Sequence, residues 1–271
     1  MITFDSSKCI RCGICSEVCP VQIIDQEGDT LPSISEELYS MCRRCGHCEV
    51  YCPTGAVSSG YDGIYPDMRA DLPHFLEPQE IRDHLISRRT CRVFSERPVE
   101  RKTLEDILGT VRYAPSGSNR QPVRWIILEG REKVAQVTCK VAEWMARIAE
   151  KDPENPMASF FGKAARAYQE GNDPITRKAP NIILSIVPAD NPWAQADSII
   201  ALSWFELLCQ SYGIGTCWLG LVRMPAREDP SILDHLYIPE GYELGFTMGF
   251  GYSKYSIRSI PKRNKPDITW I

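Results

Sequence analysis

Eight of the twelve cysteines fall into two copies of one pattern, Cys9-x2-Cys12-x2-Cys15-x3-Cys19-Pro20 and Cys42-x2-Cys45-x2-Cys48-x3-Cys52-Pro53. Two-residue spacings let three thiolates converge from one tight loop onto a face of an iron–sulfur cube. The fourth cysteine, one residue further out, points towards a second cube. The chemistry implied is one-electron transfer through two [4Fe–4S] clusters. One would be held by Cys9, Cys12, Cys15 and Cys52, the other by Cys42, Cys45, Cys48 and Cys19. Paired CxxC spacings also build zinc sites, although zinc gives no reason for three evenly spaced cysteines followed by Cys-Pro, twice over. A disulfide scaffold would suit a small secreted chain, and no basic-then-apolar leader precedes Ile2-Thr3-Phe4.

A second group of residues suits anion chemistry. Arg88, Arg89 and Arg92 lie within five positions, with the Thr90 hydroxyl between them. Such a group can take a phosphate monoester through bidentate guanidinium contacts and a hydroxyl donor. The blander alternative is a charged helix end that complements the macrodipole. Gly213-Ile214-Gly215-Thr216 resembles half of a dinucleotide fingerprint, but it follows a helix where a strand would be needed, so a Rossmann site carries little weight. Cys91, Cys139, Cys209 and Cys217 lie outside the motifs and read as small buried hydrophobes. Arg43, Arg44 and His47 flank the second cysteine run, as tuners of a cluster potential or as a solvated basic loop.

The elements that must position these residues follow from composition and period. Residues 1–60 hold the eight motif cysteines and short strand-sized runs such as Ala56-Val57-Ser58. The stretch 61–78 is rich in Pro, Gly and Asp with no sustained period and reads as a linker. Beyond it, helices are expected at 79–89, 103–111, 131–150, 157–170 and 194–212, and strands at 124–128, 181–187 and 241–251. The helix over 194–212 is apolar almost all round, as in a core or a subunit interface. An irregular basic tail, 253–271, follows the last strand. The net charge of −4 leaves no electrostatic footprint for nucleic acid. Apolar runs such as Ile182 to Val187 are too short to span a bilayer. The expected setting is the cytoplasm of an anaerobe or facultative anaerobe.

The first 60 residues resemble a bacterial-type 2[4Fe–4S] ferredoxin. The remainder resembles the FMN-dependent nitroreductase family in four runs that occur in the right order: Arg88-Arg89-Thr90-Cys91-Arg92-Val93-Phe94, Ala114-Pro115-Ser116-Gly117-Ser118-Asn119-Arg120-Gln121-Pro122, Gly213 to Gly220, and Pro261-Lys262-Arg263-Asn264-Lys265-Pro266. The resemblance implies an α+β fold, a dimeric FMN-binding domain with a mixed sheet and flanking helices, preceded by a small ferredoxin-like dicluster domain. Its expected boundaries are 1–60, a linker at 61–78 and 79–271. It also implies site roles. Arg88, Arg89, Thr90 and Arg92 would hold the FMN phosphate and ribityl chain, joined by Lys262 or Arg263. Asn119 would bond the ring or ribityl region. Pro115, Ser116 and Gly117 would approach from a partner subunit. Trp218, Leu219 and Gly220 would line one ring face, and helix 194–212 would form the homodimer interface. Thr90 stands where the family usually has Ser, and Val123 where a Trp is frequent.

The function implied is passage of electrons from the clusters, or from NAD(P)H, to FMN and on to a small organic acceptor such as a nitroaromatic or quinone. A low-potential redox protein is the other expected donor. No side chain need act as nucleophile or base, so no catalytic residue is assigned. Two other classes stay open: a non-enzymatic electron carrier or redox sensor, and a different flavin chemistry (dehalogenation or flavin modification) on the same fold. For the latter, residues 139–179 would be the substrate lid.

Overall fold

A computed structural model of the chain describes residues 2–61 and 76–271. The linker expected at 61–78 falls mostly at 62–75, outside the described residues. Contacts divide the chain into two units: 2–61 with Ser116–Gln121, and 76–115 with Pro122–Ile271.

In the first unit, β1 (Thr3–Phe4) pairs antiparallel with β2 (Val57–Ser58), tying the two ends of the 60-residue module together. Between them the cysteine runs fold as one backbone repeated at an offset of 33 residues. Arg11 and Arg44 both adopt left-handed backbone (φ 58° and 47°), as do Gly13 and Gly46 (φ 78° each). Those glycines open the one-turn helices α1 (Ile14–Glu17) and α2 (His47–Val50), turning the chain sharply without a Cβ penalty. Ile2, Ile23, Ile24 and Val57 form a small core with Cys15 and Cys48.

The second unit is built on a four-stranded sheet: β3 (Arg124–Glu129), β4 (Asn181–Pro188), β5 (Ile214–Trp218) and β6 (Tyr242–Tyr252), ordered β3-β4-β6-β5. All three ladders are antiparallel. This corrects the expected mixed sheet. β4 and β5 do run parallel to each other, but β6 is inserted between them and pairs with both. Among the described residues the one parallel pairing is an isolated bridge between Thr90 and Thr216.

β4 is buried on both faces, which explains its unbroken apolar run. Its side chains alternate between two cores. Ile182 and Leu184 face one built with α5 (Arg131–Lys151) and α6 (Ala158–Gln169), and Ile183 faces another built with α4 (Arg101–Val111) and α7 (Ala194–Ser211). Val134, Val137, Val141 and Met145 of α5 and Phe161 and Ala165 of α6 are all core residues. The lid expected at 139–179 is therefore corrected, because its helices are fastened into the main core. In α6, a methyl on Gly162 would sit at ordinary contact, 3.5 Å from the Ala149 Cβ. Gly162→Ala should therefore stabilise by about 0.5–1 kcal/mol, since glycine in a helix interior forfeits that much. A melting temperature at or below that of the parent chain would count against this packing.

α7 differs from its expected all-round burial. Ala201, Leu202, Phe205 and Cys209 face the core, whereas Ile199 and Trp204 stay 42% and 37% exposed in the single chain. α3 (Pro78–Ser87), with Pro78 at its first position and a Glu77–Glu80 capping box, also leaves Ile81, Leu85 and Ile86 exposed. In this unit one strand and one α-helix were not anticipated from sequence. β5 was hidden in a glycine-rich run that looked only like a helix stop, and α8 (Gly220–Glu228) carries an internal Pro225. The segment after Ser253 has no regular structure, as expected. Among the described residues no helix is long and apolar enough to cross a membrane.

Candidate functional site

In the first unit a pocket is lined by Cys9, Cys12 and Cys15 together with Cys52 from the second run. The crossed set expected from the motif spacing is thus grouped around one space. All twelve cysteines are free thiols. Backbone amides already reach the sulfurs: Ala56 N donates to Cys52 Sγ at 3.2 Å and Arg44 N to Cys42 Sγ at 3.4 Å. Burial pushes the Cys15 thiol up and the Cys48 thiol up to about 11. Burial also acts on Cys52, but hydrogen bonds from Thr54 and Ala56 outweigh it and leave that thiol below its ordinary value. Two buried thiols, Cys15 and Cys48, beside two half-buried ones with amide donors aimed at them, suit thiolate ligands of a cluster, whose potential such donors tune.

Loop Ser116–Gln121 belongs to this unit by its contacts. Asn119 Nδ2 donates to the carbonyls of Arg43 (3.1 Å) and Arg44 (3.0 Å), in the second cysteine run. Ser118, Asn119 and Gln121 all hold left-handed backbone. The Arg44 guanidinium donates to Gly60 O and lies 4.3 Å over the Tyr61 ring, so it is fixed by specific partners.

In the second unit, the arginine run leaves α3 and passes beside β5. Cys91 N donates to Thr216 O at 2.7 Å. Such closeness requires Gly215: a Cβ there would meet the Cys91 Cβ at 2.6 Å. Two adjoining spaces share Thr90 and Arg92. The larger, about 410 Å³, is walled by Arg88, Arg89, Gln210 and residues of β5; the smaller, about 260 Å³, by Arg177, Cys217, Trp218, Leu219 and Gly220. Together they form a trough, with Arg88 and Arg89 in the larger space and an indole and backbone wall facing Arg92 and Arg177 in the smaller.

One buried carboxylate organises this trough. Glu206 of α7 accepts from Arg88 Nη1 (3.1 Å), Thr216 Oγ1 (3.2 Å) and Trp218 Nε1 (3.1 Å). Gln210, one turn on, donates to His84 O and Ser87 Oγ, lashing the end of α3 to α7 just before the arginines. Arg89 donates to Ile86 O, yet its Nε is buried without a partner. An orphaned guanidinium N–H in a donor-rich cleft is what a phosphate would satisfy, so the residues present fit an FMN-like group.

Of the residues expected from sequence, the trough gathers Arg88, Arg89, Thr90 and Arg92 with Trp218, Leu219 and Gly220. Pro115, Ser116, Gly117 and Asn119 are not among its walls. Lys262 and Arg263 lie on the exposed tail, and only Ser253, Tyr255, Ser256 and Ile257 of that segment line it. Cys91, Cys209 and Cys217 are buried as expected. Cys139 is the correction: it lies on the exposed side of α5, since its neighbours Val137 and Val141 take the inward positions. Sequence reasoning missed Glu206, Gln210 and Arg177. A lone acid inside Leu202-Ser-Trp-Phe-Glu206-Leu-Leu was a usable signal for the first, because a buried carboxylate needs donors.

Residues 85–252 match the profile described as the nitroreductase family. The chain belongs to that family. Residues 1–62 of this nitroreductase-family oxidoreductase match the 4Fe-4S dicluster domain. It is 27% identical over 170 residues, 63% of its length and 83% of the other's, to a putative NADH dehydrogenase/NAD(P)H nitroreductase of Archaeoglobus fulgidus. It is 36% identical over 87 residues to a 4-nitrobenzoate reductase of Pseudomonas putida, 32% of this chain and 36% of that one. In fold it is similar to a nitroreductase with bound FMN from Bacteroides fragilis, with a TM-score of 0.58 and 19% identity over 71% of this chain and 98% of that one.

Proposed function

We propose that this nitroreductase-family protein binds FMN in the trough and reduces a small organic acceptor, a nitroaromatic or quinone, with electrons received through two [4Fe–4S] clusters. The observation that carries the reading is the trough itself, in which an arginine end with an unpartnered buried N–H continues into a Trp218–Gly220 wall. Bound FMN would join one-electron clusters to two-electron chemistry. The chain's own residues orient it. Arg88, Arg89 and Thr90 take the phosphate, Glu206 holds Arg88 and the Trp218 indole in register, and Gly220 leaves room for a flat ring. Cys9, Cys12, Cys15 and Cys52 hold one cluster; Cys42, Cys45, Cys48 and Cys19 hold the other. A low-potential redox protein or NAD(P)H supplies electrons. The nitro-compound relatives support the acceptor class.

We further propose a homodimer. Its support is the apolar surface left on α3 and α7 and the tail, where Ile257, Ile260, Ile268 and Trp270 are exposed, Trp270 at 89%. Lys262 and Arg263 then reach a phosphate only if the tail folds back or crosses to the second copy.

Anaerobic purification with iron, sulfide and released-flavin counts tests the reading. About eight irons and one FMN per chain are expected. Iron without flavin would favour a carrier or sensor, and zinc without sulfide would overturn the cluster assignment. Cys52→Ser should lower iron and sulfide to about half, because Cys52 sits with the Cys9–Cys12–Cys15 set. An unchanged count would break the crossed assignment.

A further inference from the structure

We propose that Gln26 is a positioning residue for the cluster of the Cys9–Cys12–Cys15–Cys52 pocket, and that its side-chain amide sets that cluster's reduction potential. The proposal rests on the iron–sulfur reading given above and deepens it. Gln26 lies outside both cysteine runs, yet it is one of the walls of this pocket. Its Nε2 donates to Arg11 O at 3.0 Å, between Cys9 and Cys12, and to Gly28 O at 3.4 Å. Its Oε1 is buried without a donor among the described residues. A stranded acceptor lowers stability, and an apolar side chain of the same length would avoid that loss. Packing alone therefore does not account for an amide here. Turning the amide over would press its oxygen against the Arg11 and Gly28 carbonyls, which fixes the orientation.

The contact acts on the loop that carries the ligands. Arg11 is left-handed, φ 58°, a conformation unfavourable for a residue with a Cβ. The peptide that follows is planar and trans, so the Arg11 carbonyl and the Cys12 N–H point to opposite sides. Tying the carbonyl to Gln26 therefore fixes the direction of the Cys12 N–H. Among the described residues the amides of Arg11, Cys12 and Gly13 have no acceptor, and Cys12 and Gly13 are walls of the pocket. Donors held beside sulfur ligands favour the more negative, reduced state of a cluster. Gln26 is itself held on both sides. Asp25 and Ser33 exchange backbone bonds of 2.8 and 2.9 Å, and Ile24 O accepts from Ser16 Oγ of α1 at 2.6 Å. The second run repeats the device. Arg44, the counterpart of Arg11 in the duplicated loop, has its carbonyl held at 3.0 Å by another side-chain amide, that of Asn119. Two amides from unrelated stretches of sequence thus grip the same point of a repeated loop.

The test uses the full-length protein with its clusters reconstituted and follows the reduced clusters by electron paramagnetic resonance in an anaerobic redox titration. Gln26→Met keeps the length of the side chain and removes the donor. One of the two one-electron waves should move to lower potential by about 59 mV, the one-electron equivalent of the tenfold change in equilibrium constant that a hydrogen bond to a charged group supplies. The other wave and the iron count should stay in place. Gln26→Glu, which sets a carboxylate oxygen where the N–H stood, should move the same wave further in the same direction. Waves unmoved in both variants, or two waves moved equally, would overturn the proposal. Loss of half the iron from both variants would overturn it too, because Gln26 would then retain the cluster and not tune it. A parent protein that holds zinc and no sulfide would overturn this proposal and the cluster reading together. A parent with about eight irons whose waves ignore Gln26 would overturn this proposal alone.

Discussion

Glu206→Leu is expected to destabilise the second unit by about 2–4 kcal/mol, the sum of two or more donors stranded at 1–3 kcal/mol each. The side chain is nearly buried, and Leu would leave the Trp218 indole N–H, the Thr216 hydroxyl and the Arg88 guanidinium facing an apolar group. At about 2–4 °C per kcal/mol for a unit of this size, the melting temperature should fall by several degrees or more. Glu206→Gln should lose less, because an amide oxygen placed on the Trp218 side still accepts from the indole while the amide NH2 can donate to the Thr216 hydroxyl, and only the Arg88 contact goes. Thermal unfolding followed by circular dichroism gives the ranking, and tryptophan emission reports whether the Trp218 environment changes. A Leu variant as stable as the parent, or a Gln variant worse than Leu, would show that this carboxylate does not organise the trough.

Gly215→Ala should cost about 1–3 kcal/mol through overpacking and weaken FMN binding at least about tenfold. The added methyl would stand 2.6 Å from the Cys91 Cβ and 3.0 Å from its Sγ, and Cys91 cannot yield without stretching its 2.7 Å bond to Thr216 O. Movement there carries Thr90 and Arg92, its covalent neighbours, out of the trough. The same clash predicts a rescue. Cys91→Gly removes both offending atoms, so the double variant should recover part of what Gly215→Ala loses, a coupling that a double-mutant cycle measures directly. Additive losses would mean that the two segments do not press on each other. Equilibrium dialysis of FMN against the apoprotein reads the binding effect without any turnover.

The parts legible in the sequence were those set by local spacing. The cysteine runs gave the first unit its site because their ligand geometry is written in two-residue intervals. The helices α4, α5, α6 and α7 declared themselves through apolar repeats, and β4 through its unbroken run from Ile182 to Val187. The arginine run was visible too, and the structure brings it to one trough with Trp218, Leu219 and Gly220. What escaped was set by distance. β5 is five residues of Ile-Gly-Thr-Cys-Trp whose strand character comes from pairing with β6, not from its own propensity. Glu206 looked like an interruption of an apolar helix until Arg88, 118 positions earlier, met it. Arg177 gave no signal, since its placement depends on a carboxylate four residues before it and a threonine on another element. The all-round apolarity of α7 was read correctly as composition, but in a single chain only one stripe of it is buried.

The strand order β3-β4-β6-β5 imposes a timetable on biosynthesis. Most residues of the trough lie between Arg88 and Leu221, joined by Ser253, Tyr255, Ser256 and Ile257 after β6, and β5 has no neighbour in the sheet until β6 slots between it and β4. A nascent chain therefore carries its arginine run, Glu206 and Trp218 past the ribosome exit with the sheet still open. The register is completed only when residues up to Tyr252 emerge. The cysteine module closes its strand pair at Ser58 and receives its contacting loop by Gln121, so it has no such wait. Ribosome-stalled chains cut before β6 should therefore incorporate iron but no flavin, so the two prosthetic groups would load in a fixed temporal order, metal first.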